Sequence, residues 1–268
     1  GMHGGAPPHA PRYAGMTSLD PPDRRSTRLV LALLVMLPFL LLVGRELTEG
    51  RTIGYFRVAD LAEPAILAPL YAGVLLYLWF RMQRYDAPRW LLLLFILFTM
   101  VFLYGNAIHF TGNSLNTYVT EVNDYQGQLP PDVYDMIFLL DEQFSHVVLF
   151  TGSTGLIAGW LMFDQLVEAP PLVPDNNLVI TAVAILYGVV QTYTIIEART
   201  LVMAPLIAVS LAIVWLWLWR RRGVGLWEFS TSRPFTKLVP IMLIAFAVTV
   251  IAYGAWHDGF PQPGEVGL

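Results

Sequence analysis

Apolar stretches recur along the chain at about residues 27–44, 61–80, 89–110, 136–163, 178–196, 201–219 and 238–257, separated by polar or basic turns. Each approaches the roughly 20 residues that carry an α-helix across a bilayer's hydrocarbon layer. The first is short and holds Pro38, and the fourth opens on the polar cluster Asp141, Glu142, Ser145 and His146. Stretches five and six are separated only by Glu197, Ala198, Arg199 and Thr200, which predicts a tight antiparallel helical hairpin. No internal repeat is seen, and no polar region is large enough to fold as a separate soluble domain. The pattern predicts an all-α polytopic membrane protein, a seven-transmembrane-helix bundle over residues 29–258. A Pro- and Gly-rich tail, 1–28, is expected to be disordered, and a short tail, 259–268, follows the last helix.

Composition supports this class. Hydrophobic residues make up 56% of the 268 and charged residues 13%, where a soluble domain carries about a quarter charged. The absence of cysteine removes disulfides, iron–sulfur clusters and thiolate metal sites. A net charge of −4 without a basic stripe excludes a nucleic-acid partner. The Gly1–Met2 start resembles the remnant of a cleaved tag, and no small-residue cleavage pattern follows the first apolar run, so a retained first span is expected.

Basic residues set the expected orientation. Twelve of the 16 lie on the N-terminal tail, the 81–89 turn and the 220–237 turn; Arg45, Arg51, Arg57 and Arg199 fall on the other side. The positive-inside rule then places the N-terminus in the cytoplasm and the C-terminus outside, in what is expected to be a prokaryotic plasma membrane. The outer side is acidic, above all on the 111–135 connection, which holds Glu121, Asp124, Asp132 and Asp135 and no Lys or Arg. Such a surface concentrates cations and disfavours anions, although charged loops most often only solvate.

With that orientation His109, His146 and His257 all fall near the outer leaflet, while His3 and His9 lie in the tail. Ionisable groups at membrane depth are costly and usually face a bundle interior or a water-filled cavity. Helical spacing places Asn106, His109, Asn113 and Asn116 on one face, Glu142 with His146 on a second and Tyr253 with His257 on a third; Asp141 points well round its helix from His146. Three imidazoles and a water form a common catalytic zinc shell, and ligating histidines usually give their other ring N–H to a carboxylate or carbonyl. Asp141, Glu142, Asn106 and Asn113 are candidates for that supporting role, and Glu142 could itself be a ligand. A non-metal polar network explains the same residues: a histidine near a span's end can sit at the interface, Trp256 beside His257 suits an aromatic belt, and Asn or Ser can join helices. Gly152, Gly155 and Gly159 read as small residues for close helix packing, and Trp215, Trp217 and Trp219 with Arg220–Arg222 as an inner-interface anchor.

The strings AIHFTGNSL (107–115), LLDEQFSH (139–146) and GAWH (254–257) resemble the superfamily of membrane hydrolases that includes alkaline ceramidases and adiponectin-type receptors. That resemblance implies seven spans and a zinc ion held by three histidines, with an aspartate and a serine close by. It makes His109 and His257 ligands and Asp141 the acidic partner. Tyr253 stands where the family carries another histidine and Gly105 where it carries a serine, so the third ligand here would be His146.

The expected function is a zinc-dependent membrane hydrolase acting on a lipid-like amide or ester, or another amphipathic small molecule entering from the membrane lipids. His109, His146 and His257 would hold the metal and Asp141 or Glu142 would move the proton. Asn106, Asn113, Ser145 and Tyr253 would contact substrate. A heme- or quinone-linked electron carrier, with two histidines on iron, and a non-enzymatic transporter or receptor remain open on the sequence. The oligomeric state is not legible in it.

Overall fold

The computed structural model describes residues 52–53, 56–58, 61, 65, 68–122, 126–169 and 177–266. Apart from a two-residue antiparallel ladder, β1 (Thr52–Ile53) with β2 (Phe56–Arg57), these residues form helices and their connections. In chain order the α-helices are α1 (Ala68–Arg84), α2 (Arg89–Thr117), α3 (Pro131–Phe138), α4 (Ser145–Leu166), α5 (Asn177–Glu197), α6 (Met203–Arg222), α7 (Leu226–Ser232) and α8 (Pro234–Trp256).

Among the described residues five helical runs are long and apolar enough to cross a membrane: Arg89–Thr120, Pro131–Leu166, Asn177–Glu197, Met203–Arg222 and Pro234–Trp256. The expected first span, 27–44, lies outside the described residues, and the second is described continuously from Ala68, as the 17-residue α1. The expected break between the third and fourth stretches differs from what is observed. Helix α2 continues through a π turn, Tyr118–Val122, and the next helical run starts at Pro131, so most of the 111–135 connection is helical. No proline interrupts 111–129, and Pro131 occupies the first helical turn, where a missing N–H costs nothing.

Helices α2 and α4 are antiparallel and pack backbone to backbone. A Cβ added at Gly152 would lie 2.5 Å from Phe102 N, and one at Gly105 would lie 2.8 Å from Leu149 N. At Gly155 it would run into the Phe98 ring, at 2.1 Å. Without a hydrophobic driving force in lipid, helices associate through close packing of small residues, and here the glycines supply it. Gly159 differs from its neighbours: no atom lies within 4 Å of the added Cβ. Helices α5 and α8 pair in the same way at Gly188, where a Cβ would meet Met242 O and Phe246 N, both at 2.7 Å. Thr192 Oγ1 donates to Phe246 O across that seam (3.3 Å).

The 197–202 turn between α5 and α6 is as tight as its length requires. Arg199 takes a left-handed conformation (φ 51°), and Thr200 N donates to Ile195 O. At the opposite end of the bundle, α4, α6, α7 and α8 are tied together by polar contacts. Buried Asp164 accepts from Phe235 N (3.2 Å) at the start of α8, and Arg222 donates to both the side chain and the backbone carbonyl of Gln165. Leu161, Phe163, Ile195, Leu211, Leu218 and Val239 fill the core between these ends.

Candidate functional site

The α2–α4 pair sets the depth of the site. His109 lies twenty residues along α2 from Arg89, and His146 twenty residues from the other end of α4 at Leu166. At 1.5 Å per residue, twenty residues span about 30 Å, the thickness of a hydrocarbon layer. The two histidines therefore stand about one such thickness from the opposite ends of their helices, with the polar residues of α2 and α3 beyond them.

A second π turn, Leu139–Phe144, fixes what faces what. In it the backbone bonds run five residues back, as in Ser145 N–H to Leu140 O, so residues five apart share a face. The 3.6-residue period pairs Glu142 with His146 and turns Asp141 away; the π turn instead brings Asp141 onto the face that meets α2. Gly112 makes room for it, because a Cβ there would lie 2.7 Å from Asp141 Cα. Sequence spacing missed this register, and nothing in LLDEQF marks a π turn.

The His109 and His146 rings meet edge to face, with centroids 4.6 Å apart. Asp141 is 1% exposed. Its Oδ2 accepts from Asn116 Nδ2 (2.9 Å), and its Oδ1 lies 3.5 Å from His109 Nδ1. The same His109 nitrogen is 3.4 Å from Asp141 O. Two acceptors around Nδ1 favour the tautomer with the proton there, which leaves Nε2 with the lone pair. Ser145 Oγ donates to Asp141 O and lies 3.4 Å from His146 Nδ1, so its remaining lone pair can accept from that ring. Both imidazoles are thus held by Nδ1, the supporting arrangement that metal-ligating histidines use. At 3.4–3.5 Å these contacts are long for hydrogen bonds.

The other expected site residues are placed as follows. Asn106 donates its amide to Phe102 O, on its own helix (2.8 Å). Asn113 and Glu142 both have interaction partners in the fold, and Glu142 sits half-buried on the π turn. Tyr253 donates its hydroxyl to Pro261 O (2.8 Å), which ties α8 to the segment after it. His257 follows α8, its ring 4.5 Å from that of Tyr253. It lies at the same end of the bundle as His109 and His146, because α8 begins beside the far end of α4. Two of the three expected imidazoles are therefore brought into contact, and the contacts of His257 described here are with Tyr253. Among the described residues no group of three or more His, Asp or Glu side chains is gathered closely enough to hold a metal ion.

Two residues outside the expected set matter. Asn116 orients the carboxylate of Asp141, and its place on the His109 face is legible in the 3-4-3 spacing of 106, 109, 113 and 116. Gly112 sets the approach of α2 to the π turn, a role for which the sequence gives no signal. Compared with protein-family models, with curated proteins and with solved structures, the chain matches none.

Proposed function

We propose that the chain is a metal-dependent integral-membrane hydrolase, with zinc as its metal and a lipid-like amide or ester as its substrate. In this reading it crosses a prokaryotic plasma membrane seven times, N-terminus in the cytoplasm, and the site faces the outer leaflet. The observation that carries the reading is the convergence of His109 and His146 on buried Asp141. Burying the Asp141 carboxylate and the His146 imidazole between helices, with His109 half-buried beside them, costs free energy that packing alone does not require.

The donor chemistry fits zinc in part. His109 and His146 would bind through Nε2. His257, at the same end of the bundle, and Glu142, on the π turn, are the two candidates for the third protein ligand. A bound zinc ion supplies a water that ionises near neutral pH. The protein's own part is to hold this geometry. Asn116 fixes the Asp141 carboxylate, Asp141 keeps the proton of His109 on Nδ1, and Ser145 does the same for His146. Asp141, beside His109, or Glu142, the next residue on the π turn, would take and return a proton. Leu103 and Tyr104 on α2 and Phe144 on the π turn are exposed, and such apolar surface on the same two helical runs suits a substrate arriving sideways from the bilayer.

The test is hydrolysis of fluorogenic long-chain amides and esters by the full-length chain in mixed micelles. The reading expects turnover that chelator abolishes and zinc restores, and that is lost in His109→Ala and His146→Ala with helicity retained. A protein with equal turnover before and after chelation contradicts it. Zinc content separates the two candidate ligands: zinc lost in His257→Ala but not in Glu142→Gln identifies the histidine, and the reverse identifies the carboxylate.

A further inference from the structure

We infer that the end of the bundle opposite the histidines carries a docking surface for anionic phospholipid headgroups, built from Arg220, Arg221, Trp217 and Trp227. Three tryptophans of α6 precede its arginines, but they do different things. Trp215 donates its indole N–H to Thr236 O, and Trp219 donates to Val224 O, both at 3.0 Å, so these two rings fasten α6 to its neighbours. Trp217 is instead exposed, and the Arg221 guanidinium lies over its ring, 5.6 Å from the centroid.

The short helix α7 extends the same surface. Phe229 is buried against Trp215 (ring centroids 5.0 Å), which pins the helix to the bundle. Leu226 and Trp227 point the other way, and Trp227 is 81% exposed. Exposed tryptophan and leucine beside arginine at the end of a membrane helix suit the headgroup level, where amphipathic rings are enriched.

Charge selects the kind of lipid. From Trp217 to Lys237 there are five basic residues, Arg220, Arg221, Arg222, Arg233 and Lys237, against one carboxylate, Glu228. Three of the five are engaged within the protein: Arg222 with Gln165, Arg233 with Ala169 O, and Lys237 with Asn177. Arg220 and Arg221 are exposed, and no hydrogen bond or ion pair holds either one among the described residues. Two arginines beside two exposed tryptophans at the headgroup level complement a phosphodiester that carries net negative charge. A zwitterionic headgroup, whose own ammonium offsets the phosphate, gains less from them.

The experiment titrates the full-length chain, in neutral detergent, with dibrominated phosphatidylglycerol or dibrominated phosphatidylcholine and follows tryptophan quenching. The expected result is half-maximal quenching at lower mole fraction for phosphatidylglycerol. The double variant Arg220→Gln/Arg221→Gln should raise that mole fraction about twenty-five-fold, taking each arginine as about fivefold, with an unchanged far-ultraviolet circular dichroism spectrum. Equal quenching by the two lipids, or a double variant that keeps the preference, overturns the proposal. Inorganic phosphate that removes the preference when chloride of the same ionic strength does not would assign the surface to a free anion and overturn it as well. Arg222→Gln is the control: it releases Gln165 and lowers thermal stability equally in both lipids.

Discussion

Substituting Gly112 by alanine should loosen the α2–α4 seam at the site, and the structure sets the size of the effect. The added methyl would sit 2.7 Å from Asp141 Cα and 2.8 Å from Asp141 N, about 0.7 Å short of the 3.4 Å at which ordinary contact begins. Both neighbours are backbone atoms of the π turn and cannot rotate aside, so α2 and the turn must part. Overpacking of this kind costs about 1–3 kcal/mol. Replacing a helical glycine by alanine also gains about 1 kcal/mol of helix propensity. The comparison variant Gly159→Ala shares that gain and meets no atom within 4 Å. The difference between the two variants therefore isolates the packing cost, about 1–3 kcal/mol or roughly 3–10 °C in Tm for a chain of this size. Thermal unfolding followed by circular dichroism in one detergent reads it. Gly112→Ala unfolding at or above the temperature of Gly159→Ala would refute the close approach of α2 to Asp141.

Asn116→Ala removes the donor to a carboxylate that is 1% exposed, and should lower stability by about 1–3 kcal/mol in the same assay. Arg222→Gln should cost a similar amount, since Gln165 is 3% exposed and its two oxygens lose their donor while its amide keeps Ser232; Arg220→Gln should change stability by less than about 0.5 kcal/mol. Chelator added to protein saturated with zinc should lower Tm, and zinc returned in excess should restore it. At one hundred times the dissociation constant the linkage amounts to about 2.7 kcal/mol. Calorimetry with and without chelator measures that difference directly.

Helix identity is legible in the sequence because it follows from long apolar runs, and the spacing of Asn106, His109, Asn113 and Asn116 agrees with a helix that continues to Thr117. The glycines of α4 were read as packing residues, which holds for Gly152 and Gly155 and not for Gly159. What periodicity could not supply was the π turn at Leu139–Phe144, because one extra residue per turn leaves no compositional mark yet rotates every later side chain. That rotation exchanged Glu142 for Asp141 as the neighbour of the histidines. The tethering of Tyr253 to Pro261 depends on where the chain folds back after α8, which no local pattern encodes. Likewise the three tryptophans of α6 look equivalent in sequence, and only their hydrogen bonds separate two structural rings from one exposed ring.

Elemental analysis of the full-length chain purified from membranes, beside its His109→Ala and His146→Ala variants, tests most directly whether imidazoles from two helices share one ion. About one equivalent of zinc in the parent chain, lost in each variant while helicity persists, is the expected result. A helical, metal-free parent chain that takes up no zinc on titration would contradict it.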